Sequence, residues 1–227
     1  MGLPLYLAGT RGEMPEADTA FPAYMACHFS PYENGLEAQQ PLPRCSMVIL
    51  NDRVPVWGHD PDRVAAQLWE VLEQAEATCV LLDLQRPGCP EAMVKALAAL
   101  PCPVGVTEGY AQLTDGPVLA EVPMHRPLED ARKRWNDREL WLDVAANVQQ
   151  ITVTGSGSCL DSLPPFSPEG IVHREARLCC SYCIDVSADR AVFTLFRTRE
   201  DIEQLLRQAE ELGFTGAVGL YQELHGL

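Results

Sequence analysis

The chain has few basic residues and no long apolar run. Its 17 Lys and Arg stand against 32 Asp and Glu, a formal net charge of −15 over 227 residues. No basic run offsets that charge locally, so a nucleic-acid partner is excluded on electrostatic grounds. Adsorption to an anionic membrane surface is disfavoured for the same reason. No apolar stretch approaches the roughly 18 residues of a membrane span. The opening "MGLPLYLAGTRGEMPEAD" lacks the basic and long apolar regions of a signal peptide. The nine cysteines follow no framework spacing, which leads us to expect a reducing, cytoplasmic setting. Also missing is a second C-x-x-C or an H-x₃₋₅-H to complete the Cys180–Cys183 pair. Three residues apart on a strand, those two thiols point to opposite faces. They are read as core thiols, with no metal and no other cofactor expected.

Hydrophobic residues make up 47% and charged residues 22% of the chain, the balance of a globular protein able to bury one sizeable core. Short apolar runs alternate with amphipathic helices, the pattern of a parallel sheet with crossover helices. The strands are expected at residues 23–29, 46–51, 79–84, 103–107, 117–122, 139–144 and 216–221. Residues 179–186 and 191–196 read as a hairpin about the polar "SADR" turn. One helix opens at Asp60 with Pro61 at its first position, and Val64, Leu68, Val71, Leu72 and Ala75 form its buried stripe. A second opens on the Thr198/Asp201 capping box and closes at Gly213. Shorter helices are expected at 90–100 and 127–136. These elements predict an α/β fold, a single (β/α)₈ TIM-type barrel of reduced size with a β-hairpin inserted before the last helix. Residues 1–22 read as an N-terminal extension and 155–177 as a loop excursion.

Chemistry is sought where such a barrel keeps it, at the C-terminal ends of the strands. In "CVLLDLQRPG", Val80, Leu82 and Leu84 share one face. Cys79, Leu81, Asp83 and Gln85 share the other, which would look into the barrel. In the last strand, the same alternation groups Ala217, Gly219, Tyr221 and Glu223. Asp52, Glu108, Glu121, Asp143 and Asp185 also close expected strands. Of these, Glu108 and Glu121 join Asp83 as candidate catalytic carboxylates. The candidate ligand-binding residues are Asp83, Gln85, Tyr221, Glu223 and Trp57. Trp57 and Trp141 are read either as stacking surfaces or as core.

The order of these segments resembles the family 18 glycoside hydrolases, the chitinase-like barrels. The family's fourth strand ends in D-x-D-x-E, often followed by an aromatic residue and proline, and the final glutamate is the general acid. Here Leu81 takes the place of the first aspartate, Asp83 of the last, and Gln85 of the glutamate. "TREDIEQLLRQAEELGFTGAVGLYQEL" resembles the closing helix and eighth strand. The resemblance implies that Tyr221 stands where a tryptophan floors the sugar subsite, and Glu121 is an approximate stand-in for the family's Tyr-Asp pair. It also implies substrate-assisted hydrolysis with proton donation from the acid. An amide does not donate as a carboxylic acid does, and general acid catalysis supplies about 10²–10⁴-fold.

The chain is therefore expected to be a catalytically degenerate barrel that binds a carbohydrate or related small polar ligand. Two alternatives stay open. One is an active hydrolase using another carboxylate pair, such as Asp83 with Glu108, Glu121 or Glu223. The other is a non-catalytic scaffold or interaction protein. Oligomeric state is not legible in the sequence.

Overall fold

A computed structural model describes residues 2–10, 12, 21–54, 56, 58–163 and 170–225. Trp57 lies outside the described residues. Eight parallel strands close into a barrel: β1 (Leu5–Gly9), β2 (Pro22–Phe29), β4 (Met47–Asn51), β5 (Cys79–Asp83), β6 (Val104–Thr107), β7 (Val118–Ala120), β8 (Leu140–Val144) and β14 (Gly216–Leu220). Pairing of β1 with both β14 and β2 completes the ring, and β3 (Leu36–Ala38) adds antiparallel to β2. The TIM-type barrel is thus the fold.

Residues 1–22 are not merely an extension, because Leu5–Gly9 supplies the first barrel strand. Its "LYLAG" is short and lies next to Pro and Gly. What makes it a strand is hydrogen bonding on both sides, which local propensity does not report. With β1 counted, Cys79–Asp83 is the fourth strand of the barrel.

The helices follow their local signals. Asp60 accepts a hydrogen bond from the Arg63 N–H at 2.9 Å, and Pro61 opens α1 (Pro61–Ala75). Helix α2 spans Glu91–Ala98 and α3 spans Leu128–Arg134. The reciprocal Thr198/Asp201 capping box starts α4 (Arg199–Glu211), and Gly213 leaves it with φ of 78°. No helix among the described residues is long and apolar enough to cross a membrane.

Between β8 and α4 the chain builds a five-stranded antiparallel sheet in the order β10-β9-β13-β12-β11. Its strands are β9 (Val148–Thr154), β10 (Gly157–Leu163), β11 (His173–Glu175), β12 (Cys180–Val186) and β13 (Arg190–Phe196). The expected hairpin is β12–β13, but it is the centre of a larger insertion. Much of the expected excursion at 155–177 is therefore strand. Gly157–Leu163 has weak β-formers and exposed side chains, yet pairs with β9 through seven residues. Cys180 and Leu195 seat this sheet on Met124 of the loop after β7. All nine cysteines are free, and Cys179 precedes β12 in a left-handed backbone with φ of 48°.

Two apolar cores divide by strand parity. Val48, Leu50, Val80, Leu82, Leu140 and Leu142 face the helices. Met47, Ile49, Cys79, Leu81, Leu119, Trp141 and Val218 fill the barrel interior. Trp141 is 4% exposed, so it is core and not an open sugar platform. A Cβ on Gly105 would lie 2.5 Å from its ring, so β6 gives up a side chain to admit the indole.

Candidate functional site

The interior core ends in a polar layer. Asn51, Asp83 and Asp143 each stand two residues beyond an interior apolar side chain: Ile49, Leu81 and Trp141. Period-two geometry therefore carries all three to the C-terminal mouth on the inward face. Asn51 donates to the carbonyls of Met25 and Cys27 at 2.9 and 3.1 Å, across a register shift in β2.

Beyond β5 the chain is held on three sides. Asp52 is 5% exposed and accepts the Gln85 and Arg86 N–H groups at 3.1 and 2.6 Å. Thr107 donates to the Leu84 carbonyl at 2.7 Å, and the Tyr110 hydroxyl to that of Arg86 at 2.6 Å. The segment carrying Gln85 is thus fixed by its backbone while the Gln85 side chain stays exposed. Asp52→Ala should remove both carboxylate contacts and cost about 2–3 kcal/mol, since a hydrogen bond to a charged acceptor contributes about 1.5–3 kcal/mol. Urea unfolding checks the cost, and hydrogen exchange should accelerate first at Gln85 and Arg86.

Gln85 donates its amide N–H to Asp83 at 2.6 Å. Asp83 is pushed above the ordinary carboxylate value by burial and by the charge of Asp52, with the Gln85 hydrogen bond opposing. Asp143 is pushed up further, to about 6, first by burial and then by the charges of Glu121, Asp83 and Glu223, with Arg197 opposing. No hydrogen-bond donor engages Asp143 among the described residues. Among the described residues Arg197, 6% exposed, reaches only the Ala145 carbonyl at 3.5 Å, and its Nε has no partner.

Two adjoining cavities open here. One, of about 210 Å³, is bounded by Asn51, Asp83, Gln85, Asp143 and Glu223 over a floor of Ile49 and Leu81. The other, of about 470 Å³, shares Gln85, Leu119 and Asp143 with the first and adds Arg86, Glu108 and Glu121. Asp83, Gln85 and Glu223 therefore come together, with Glu108 and Glu121 beside them. Glu108 is held by Arg134 at 2.6 Å. Glu223 accepts the Ala146 N–H at 3.0 Å, which ties the chain after β14 to the loop after β8.

The parity expected for the last strand is reversed. Val218 belongs to the barrel interior and Ala217 to the helix-facing core, while a Cβ on Gly219 would strike Leu224 at 2.4 Å. The strand stops at Leu220, and Tyr221–Leu224 forms the short helix α5. Tyr221 lines neither cavity; its ring lies 4.9 Å from that of His225. Small residues at both parities hid the direction of this strand, and Glu223 reaches the mouth from the helix.

Asp143 is the residue underrated by sequence reasoning. Its signal was present: "LWLDV" alternates as "CVLLD" does, placing Trp141 and Asp143 on one face. The sharing of two cavities and the repulsion among four carboxylates were not legible, because β5, β8 and the chain after β14 meet only in the closed barrel.

A closed parallel barrel with a carboxylate-lined mouth and an antiparallel sheet inserted after its seventh strand has the fold of the family 18 chitinase-like barrels. A class V chitinase from Nicotiana tobaccum superposes with a TM-score of 0.59 at 10% identity, over 98% of this chain and 94% of that one. The Bacillus cereus spore cortex-lytic enzyme SleL gives 0.56 at 8% identity, over 96% and 70% of the two chains. Human YKL-39, described as a pseudo-chitinase with retained chitooligosaccharide binding, gives 0.54 at 9% identity over 96% and 92%. No family model and no curated protein sequence matches the chain.

Proposed function

We propose that the chain binds a saccharide at the barrel mouth and does not hydrolyse it by the family's substrate-assisted route. The observation that carries this is the pairing of Gln85 with Asp83 inside a mouth that otherwise keeps its carboxylates. The amide occupies the place the resemblance gives to the proton donor, and it donates to Asp83 instead. Leu81 beneath it is 2% exposed and packed in the interior, so the first aspartate's place supplies no charge to position Asp83. Asp83, Asp143 and Glu223 offer acceptors, and the second N–H of the Gln85 amide a donor, suited to sugar hydroxyls above an apolar floor.

Titration calorimetry with chitotetraose tests this reading. Binding is expected in the wild type and a loss of at least tenfold in Asp83→Ala. Absence of heat with chitotetraose, peptidoglycan fragments and plant oligosaccharides alike would remove the basis for a saccharide site. Gln85→Glu is expected to leave chitooligosaccharides uncleaved, because Leu81 still denies Asp83 its partner. Release of reducing ends by that variant would refute the point.

One observation favours a second reading, hydrolysis through another carboxylate pair. Asp143, held at about 6 and free of hydrogen-bond donors, would retain a proton close to neutral pH opposite the carboxylate of Asp83. Under that reading, aryl-glycoside turnover in the wild type disappears in Asp143→Asn. Wild-type turnover that the substitution leaves intact would remove Asp143 from the account.

A further inference from the structure

We infer that Arg86 makes this mouth selective for saccharides whose outer unit bears a carboxylate, such as a terminal uronate or a lactyl ether. The inference rests on the saccharide-site reading and names the class of saccharide that site takes.

Arg86 stands directly after Gln85 and before Pro87, where the family's motif is often followed by an aromatic residue and proline. The proline is kept, and a planar cation replaces the ring. Its backbone is fixed at both ends, the N–H on Asp52 and the carbonyl on the Tyr110 hydroxyl, each at 2.6 Å. Its side chain is exposed, and no carboxylate pairs with it among the described residues. Its guanidinium is thus unlike those of Arg44, Arg134 and Arg174, which each hold a carboxylate.

The position of Arg86 gives that free guanidinium a use. The residue borders the 470 Å³ cavity of the mouth and also a neighbouring cavity of about 610 Å³. Two of the acids that border these cavities are already engaged. Both oxygens of Asp52 accept backbone N–H groups, and Glu108 is held by Arg134. Asp143 and Glu121 line the 470 Å³ cavity together with Arg86. The neighbouring cavity is walled by Val56, Pro87 and Pro90, and among its described residues Arg86 brings the one cationic side chain. A chain of sugars lying over Asp83 and Asp143 would reach Arg86 at its next unit. A carboxylate there meets a fork of N–H donors, whereas one further in would face the acids.

The test compares two tetrasaccharides by calorimetry on the full chain: neutral chitotetraose, and chitotriose extended by one terminal glucuronate. At low salt the acidic probe is expected to bind roughly 5-fold tighter, the scale of one exposed ion pair. Arg86→Gln should abolish that preference, Arg86→Lys should keep part of it, and 0.5 M NaCl should shrink it in the wild type. Circular dichroism confirms that each variant is folded. If chitotetraose binds and the acidic probe gains nothing, the inference fails while the saccharide site stands. Survival of the preference in Arg86→Gln also overturns it. Binding of neither probe overturns both.

Discussion

Trp141→Ala should lower the unfolding free energy by about 3–5 kcal/mol, the range for deleting a large buried aromatic. The indole fills the barrel interior between Gly105 of β6 and Gly216 of β14, with the Tyr6 ring 6.0 Å away. Each glycine sits where a Cβ would meet it, so neither position has a side chain with which to refill the void. Urea unfolding followed by circular dichroism measures the loss, and a decrease under about 1 kcal/mol would mean that the interior collapses around the gap. A coupled result distinguishes packing from general fragility. Gly105→Ala alone overpacks the ring, at a cost of about 1–3 kcal/mol. In the Trp141→Ala background the added methyl enters open space, so its cost should vanish or change sign.

Asp143→Asn should have the opposite effect, stabilising the chain above neutral pH by on the order of 3 kcal/mol. The sign follows from the direction of the shift. The folded carboxyl titrates near 6, above its ordinary 3.8, so the fold favours the protonated form. Below pH 4 both states are protonated and the group costs nothing. As pH rises through 6, the folded state must ionise a buried carboxyl beside three others, and stability is lost. The amide has no such penalty, so the gain should be large at pH 7.5 and shrink toward zero below pH 4. Urea unfolding across that range gives the profile, and carbon-detected NMR titration of the Asp143 carboxyl gives its midpoint directly. A midpoint near 4, or a gain independent of pH, would contradict the argument.

The two substitutions lie two residues apart on β8 and show which parts of the molecule were readable in advance. Alternation along Cys79–Gln85 correctly separated the helix-facing side chains from those looking inward, because period two needs only the strand itself. The same arithmetic applied to Leu140–Val144 would have placed Asp143 in the mouth. It misled at β14, where Gly216, Ala217 and Gly219 give no contrast between faces. The first strand went unrecognised because Leu5–Gly9 owes its state to partners more than 200 residues away in β14.

Taken by itself, the sequence determined the barrel class, both well-capped helices, the inward face of the fourth strand and the acidic charge balance. These depend on local periodicity, capping and composition. Only the tertiary structure decided that the ring closes through β1, that the excursion after β8 is a five-stranded sheet, and that Tyr221 stands apart from the mouth. It also decided that Asp143 meets Asp83, Glu121 and Glu223. Those features are set by which strands become neighbours and by how far burial and mutual repulsion raise a carboxyl's proton affinity, and both arise only once the chain has closed on itself.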